Sequence, residues 1–279
     1  MYSAPIGIFD SGIGGLTVAK AIRHRLPNES TIYFGDTARV PYGPKSPETV
    51  RRYAGEILDW LLEQEVKAVV VACNTVSAHA LDDLRARSPV PVIGVIAPGV
   101  RAAARATQSG VVGVIGTAGT IASCAYPKAL RHARPELKVV DQACPLFVPL
   151  VEEGWLDHPA TRLVAEEYLA PMRAAAVDVL VLGCTHYPML KPLIHAVMGE
   201  SVQLIDSAEE TASELAAVLA EREIEAAPGH EPSQRWVATD DAARFAHVGA
   251  VFMDGSLSPV EIVDLGREIG SAERREVHP

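Results

Sequence analysis

Two cysteines carry the chemistry that this sequence suggests. Cys184 follows the run Val177-Asp178-Val179-Leu180-Val181-Leu182-Gly183 and leads into Thr185-His186-Tyr187-Pro188. Cys73 follows Val66-Lys67-Ala68-Val69-Val70-Val71-Ala72 and leads into Asn74-Thr75. Both runs are short, β-branched and apolar, the form of a buried parallel strand, and the C-terminal edge of such strands is where open α/β sheets carry their ligands. A thiol where a helix begins is expected to titrate below its usual value of about 8.5. His186 beside Cys184, and Asp10 beside Cys73, are candidates to pass a proton to or from the sulfur. Two thiols presented alike suit the two faces of one carbon: one thiolate removes a proton, the opposite thiol delivers another, and configuration inverts. A hydrolase or transferase needs only one nucleophile with its base. Structural zinc calls for C-x₂₋₄-C spacing, which is absent, and Cys184-x-His186 alone is a poor chelate. A disulfide between the two would require their Cα atoms to lie within about 7 Å.

The elements that position these thiols read as a repeat. Ile6-Gly7-Ile8-Phe9-Asp10 is a strand that runs into Ser11-Gly12-Ile13-Gly14-Gly15 and then a helix. A dinucleotide fingerprint counted from Gly12 fails, because Thr17 stands where the third glycine belongs and Asp10 would repel a pyrophosphate. Thr31–Asp36 is a second strand. The loop 37–47 carries three prolines around Tyr42-Gly43, stiff enough for a pocket wall and also compatible with a plain surface turn. Residues 48–62 have helical periodicity. A helix is expected over 76–87, a fourth strand over 90–95, and a crossing point at Ile96-Ala97-Pro98-Gly99. The pattern then restarts: strand and small-residue turn at Gly110–Thr120, strand at Leu137–Asp141, the Cys184 strand, and strand at Gln203–Asp206. These are two α/β halves in tandem, each a small parallel sheet wrapped by helices. A helix over 207–220, a polar loop over 221–233, a strand at Arg235–Thr239 and a helix near 242–247 follow. The charged end, 268–279, is expected to fray.

Composition narrows the function classes. Lys and Arg number 25 against 35 Asp and Glu, a net charge of −10. That excludes nucleic acid as a partner, since phosphate contacts need clustered cations. A small anion remains compatible, because surface fields are screened over roughly 8 Å while backbone amides in a dry cleft act locally. No apolar run reaches the about 18 residues of a membrane span, and the N-terminus has no signal-peptide pattern. Four dispersed cysteines fit a reducing compartment, the cytoplasm. Cys124 and Cys144 read as small core hydrophobes, His79 as a surface or core residue, and Asp10 as a turn cap as well as a functional acid.

Taken in order, Asp10-Ser11-Gly12-Ile13-Gly14-Gly15, Pro41-Tyr42-Gly43, Ala72-Cys73-Asn74-Thr75, Gly116-Thr117-x-x-Thr120, Ala143-Cys144-Pro145-Leu146 and Gly183-Cys184-Thr185-His186-Tyr187-Pro188 resemble glutamate racemase. The resemblance runs from about residue 6 to about 265. It implies a cofactor-independent, metal-independent interconversion of L- and D-glutamate that supplies peptidoglycan. It also implies two pseudo-symmetric α/β domains, the second inserted into the first: 1–97 with 207–267, and 98–206, with the site between them. Cys73 and Cys184 match the acid/base residues, facing D- and L-glutamate respectively, and Asp10 and His186 match their assistants. Substrate contacts carry over to Asp10, Ser11, Tyr42, Gly43, Asn74, Thr75, Thr185 and His186, and to Thr117 and Thr120. The resemblance suggests a homodimer. Val76 departs from the smaller residue common there and is expected to affect helix-start packing. The physics is compatible: hydroxyls and helix N-termini suit the carboxylates, and Asp10 suits the ammonium. No lysine sits at a strand tip to hold pyridoxal phosphate. A racemase for aspartate or another α-substituted acid would show the same paired thiols, and a non-catalytic binding protein could keep the same cleft.

Overall fold

In this computed structural model, which describes residues 3–265, the chain forms β1 (Ile6–Asp10), α1 (Leu16–Arg25), β2 (Thr31–Gly35), α2 (Pro47–Glu63), β3 (Ala68–Val71), α3 (Asn74–His79), α4 (Leu81–Arg87), β4 (Val92–Gly94) and α5 (Ile96–Ala106). It continues with β5 (Val111–Gly116), α6 (Ala118–Ala122), α7 (Ala125–Ala133), β6 (Lys138–Ala143), α8 (Phe147–Glu152), α9 (Pro159–Ala174), β7 (Val179–Gly183), α10 (Lys191–Met198), β8 (Gln203–Ile205), α11 (Ala208–Glu221), β9 (Gln234–Ala238), α12 (Ala242–Met253) and β10 (Val260–Ile262). All pairings are parallel, in a six-stranded sheet ordered β10-β9-β2-β1-β3-β4 and a four-stranded sheet ordered β6-β5-β7-β8. The order 2-1-3-4 therefore occurs twice, as the tandem reading expects.

Central strands are buried on both faces, which is why β3 and β7 read as unbroken apolar runs and β1 as one up to Asp10 at its tip. The edge strand β6 is half exposed and admits Lys138, Asp141 and Gln142. In each sheet the connection from the second strand to the third passes over the first, so the ends of β1 with β3, and of β5 with β7, border the switch point where open sheets bind ligands. After β8 the chain returns: α11 packs on α1, and β9 joins β2. One apolar cluster runs through both sheets, joining Ile8, Leu16 and Phe245 to Leu180, Leu182 and Tyr187.

Several elements differ from the sequence expectation. The helix expected over 76–87 begins two residues earlier and breaks at Ala80 into α3 and α4. The crossing at 96–99 is helical: it is the first turn of α5, which carries the chain from β4 of one sheet to β5 of the other, with Pro98 near its start, where a missing N–H costs nothing. α12 runs six residues past His247, and β10 had no sequence signal beyond three residues, Val260-Glu261-Ile262, after a proline. Val76 is fully buried in the core beneath α3, a packing role. The fraying expected of 268–279 lies outside the described residues.

Candidate active site

Cys73 caps α3, its backbone extended (φ −71°, ψ 123°) where β3 hands over to the helix. Its Sγ lies 3.6 Å from Ser11 Oγ. Only 6% of the residue is exposed, so the sulfur is nearly but not wholly closed off. The expected lowering of its pKa does not occur. Burial and the neighbouring Asp10 carboxylate push the thiol up to about 12, outweighing the Val76 amide and Ser11. A six-residue helix in dry surroundings offers too weak a dipole against an adjacent anion. Asp10 is both turn cap and candidate acid: Oδ2 accepts the Gly12 N–H at 2.9 Å, while Oδ1 is buried without a hydrogen-bond partner. Burial raises its pKa, opposed by His186 and the amides of Gly12, Gly15 and Ser11. The turn fits because residue 15 has no side chain: a Cβ there would lie 2.5 Å from Asp10 Cβ.

Cys184 stands at the equivalent place beyond β7 and is also 6% exposed. Its Sγ lies 3.9 Å from His186 Nδ1, and His186 Nε2 lies 3.0 Å from Glu152 Oε1. Burial opposes the imidazolium, but the contacts with Cys184 and Glu152 prevail and raise His186 to about 10. Burial likewise opposes the Glu152 carboxylate, and His186 with Arg244 holds its pKa down. Glu152 escaped the sequence reading because it sits on no strand tip. The one available signal was an acid as the last residue of α8, where the helix dipole disfavours it.

The two thiol environments meet. Asp10 and His186 interact electrostatically, and Gly14 backs onto His186 so closely that a Cβ would lie 2.3 Å from Nδ1 and 2.4 Å from Thr185 Oγ1. Thr17 Oγ1 donates to the Thr185 carbonyl at 3.2 Å. Across the other side, Thr75, Thr117 and Thr120 form a triangle of hydroxyls with Oγ1 separations of 2.9, 3.0 and 3.3 Å. Gly119 N–H donates to the Gly43 carbonyl at 2.8 Å. Tyr126, buried beside this cluster, donates its hydroxyl to Asn74 Oδ1 at 2.7 Å. All ten candidate residues and both cysteines thus belong to one neighbourhood, with one reservation of role. The Tyr42 ring is buried and its hydroxyl donates to Asp36, so its side chain is committed away from the cysteines.

The remaining candidates divide. Cys144 is buried, as expected of a core residue. Cys124 is exposed in a left-handed turn (φ 55°), not in the core. His79 Nε2 meets the Gly119 carbonyl at 3.0 Å. A cavity of about 330 Å³ lined by Asp36, Arg39, Arg52, Tyr53 and Glu56 touches neither cysteine. Among the described residues no group of three or more His, Cys, Asp or Glu is placed to hold a metal.

The family model described as Asp/Glu/Hydantoin racemase matches residues 16–215. A glutamate racemase of Geobacter metallireducens is 54% identical over 263 residues, covering 94% of this chain and 97% of that protein. One from Syntrophus aciditrophicus is 51% identical over 261 residues, with the same coverage. Among solved structures, a glutamate racemase from Bacillus anthracis superposes with a TM-score of 0.91 at 43% identity, over 95% of this chain and 99% of that one. A glutamate racemase from Francisella tularensis in complex with D-glutamate gives 0.90 at 40%, again over 95% and 99%. An aspartate racemase from Picrophilus torridus shares the fold alone, at 18% identity.

Proposed function

Because the chain belongs to the Asp/Glu/hydantoin racemase family and interconverts L- and D-glutamate, we propose that it does so with two opposed thiols, Cys73 and Cys184, as acid and base. The observation that carries this reading is the packing of the turn that follows Asp10, beside one sulfur, against His186, beside the other: Gly14 backs onto His186 so closely that a Cβ would lie 2.3 Å from Nδ1. Cys73 thiolate takes the α-proton of D-glutamate, and Cys184 thiol gives one to the opposite face; the reverse direction starts from Cys184. Each turnover leaves the thiols exchanged, so Asp10 and His186 return protons between sulfur and solvent. A Cys73 proton held as tightly as a value of about 12 implies makes the thiolate, once formed, a stronger base toward carbon.

Asp10 Oδ1, buried and unpartnered, is the natural acceptor for the substrate ammonium. That positive charge would in turn favour the Cys73 thiolate. The hydroxyls of Ser11, Thr75, Thr117, Thr120 and Thr185, with Asn74 and the backbone at Tyr42–Gly43, are suited to the two carboxylates. Charge that develops on the α-carboxylate in the carbanion is stabilised by such fixed donors, each worth roughly 3–4 kcal/mol in a water-poor site. His186 contacts both thiol chemistry and substrate in this scheme, and Glu152 holds its ring.

The domains are 1–97 with 207–267 and 98–206, the second inserted into the first. The enzyme acts as a homodimer in the cytoplasm and feeds peptidoglycan synthesis. Among the described residues no helix is long and apolar enough to cross a membrane. In deuterated water, L-glutamate should acquire α-deuterium and lose optical rotation with the wild-type protein. Cys73→Ala and Cys184→Ala should each abolish racemisation. Wild-type-like turnover in either variant would falsify the two-thiol assignment.

A further inference from the structure

Besides Cys184, whose Sγ lies 3.9 Å from Nδ1, the groups that fix the His186 ring come from outside its own strand. Nε2 meets Glu152 from the end of α8 at 3.0 Å. The ring edge lies against Phe252 of α12, with centroids 5.6 Å apart and planes at 85°. Gly14 closes the Nδ1 side. The titratable groups that face the imidazole are Cys184 from its own strand tip, Glu152 from α8 and Asp10 from β1. Of these, Glu152 is itself shared. Its Oε2 lies 3.7 Å from Arg244 Nη2, and the same nitrogen lies 3.4 Å from Glu153 Oε1. Arg244 stands in the first turn of α12, which packs on α1 and β10 of the six-stranded side; α8 follows β6 of the four-stranded side.

We propose that Arg244 is a positioning residue for the Cys184 half of the reaction. It reaches from one sheet's side to the other and holds Glu152, so that Glu152 keeps His186 aimed at Cys184. This rests on the two-thiol reading above and deepens it: the acid/base pair of one half is held from the other, so the pair is complete only when the halves are together. The Arg244 contacts are longer than a good charge-assisted bond of about 2.8 Å, the looseness common in networks that tighten around substrate. Nothing equivalent is needed at Cys73, whose Ser11 and Asp10 come from the adjacent strand and its turn.

The test exploits an exact constraint. Enantiomers have equal free energies in water, so kcat/KM must be the same in both directions and cannot by itself report which thiol is impaired. Primary isotope effects can. Arg244→Gln should lower kcat/KM about tenfold, the scale of a misaligned catalytic group, through kcat more than KM. The isotope effect with α-deuterated L-glutamate, deprotonated by Cys184, should rise, and that with α-deuterated D-glutamate should fall. The acid limb of the pH profile should move to higher pH, since Glu152 loses a group that holds its pKa down. Arg244→Lys should restore most of the rate, and Glu153→Gln should change neither rate nor isotope effects. Arg244→Met, which keeps the stem, replaces Arg244→Gln if the latter does not fold. Isotope effects that stay balanced or shift in the opposite sense, or a Glu153→Gln that reproduces the loss, would overturn the proposal. Failure of the parent reading is separate, because it requires Cys73→Ala or Cys184→Ala to remain active.

Discussion

A thiol is useful to an enzyme in proportion to how its surroundings treat the thiolate, and here the four cysteines are treated differently. Cys73 is dry and beside a carboxylate, and its pKa of about 12 leaves roughly one part in ten thousand ionised at pH 8. Cys144 is fully buried, and burial with the nearby Cys184 raises it too. Cys124 alone is exposed. Brief treatment with iodoacetamide at pH 8, read by peptide mass spectrometry, should therefore modify Cys124 well before Cys73 and Cys144. Activity should survive that first modification. Early labelling of Cys73 would mean its thiolate is stabilised in the ligand-free protein, contrary to the environment described above. Residue identity made Cys73 and Cys184 legible in the sequence, because each ends an apolar run and is followed by polar residues. The protonation of Cys73 was not legible: it depends on Asp10 and on desolvation, which only the packed structure supplies. Glu152 was invisible for a related reason, since a partner contributed by a helix end leaves no local pattern.

At the scale of elements, the strand-to-helix turns do the positioning, and glycine permits their close approach. A methyl on Gly14 would lie 2.3 Å from His186 Nδ1 and 2.4 Å from Thr185 Oγ1. Gly14→Ala should therefore force the β1–α1 turn and the Cys184 loop apart and reduce kcat by about a hundredfold, the cost of displacing a reacting group by an ångström or so. A melting temperature near wild type would accompany this if the turn yields without unfolding, and retained activity would show that the two turns need not touch. A different turn ties the second sheet. Asp178 accepts bonds from Thr107 Oγ1 at 2.6 Å and from the Gln108 and Ser109 amides at 2.7 Å each, binding the entry of β5 to that of β7. Partial burial opposes its ionisation, yet these donors hold its pKa near 2 against an unfolded value of 3.8. The folded state thus binds that proton less tightly than the unfolded chain. The stability it contributes is complete above about pH 4 and is lost as pH falls through about 2. Asp178→Asn should cost about 1 kcal/mol in urea titrations at pH 7, solvent screening included, and should narrow its gap to wild type at pH 2. The elements themselves were the most legible level of the sequence. Buried parallel strands announce themselves by unbroken apolar runs, and the 2-1-3-4 order recurs where the repeat placed it. β10 and the full length of α12 were missed because an edge strand of three residues and a helix continuing as Val248-Gly249-Ala250-Val251-Phe252-Met253 carry little pattern against their surroundings.

For the whole molecule, the question is whether two repeated sheets behave as two bodies. The largest apolar cluster passes through both, and polar ties from Thr17 to Thr185, Asn74 to Tyr126 and Gly43 to Gly119 add to it around the site. A shared core makes the parts lose their stability together, so thermal unfolding should follow one cooperative transition. Glutamate bound among groups from both sheets should raise that transition as a unit. At a hundred times its Kd a ligand specific for the folded state adds about 2.7 kcal/mol. For a chain of this size each kcal/mol is worth about 2–4 °C. Both enantiomers should therefore shift the midpoint upward by about 5–10 °C, since the site must accept each. L-Glutamine, which lacks the side-chain carboxylate, should shift it much less. Calorimetry that resolved two transitions, with glutamate moving only one, would show that the sheets unfold separately and that the ligand is held by a single half. In that case a proton could not be removed from one side of the α-carbon and returned from the other.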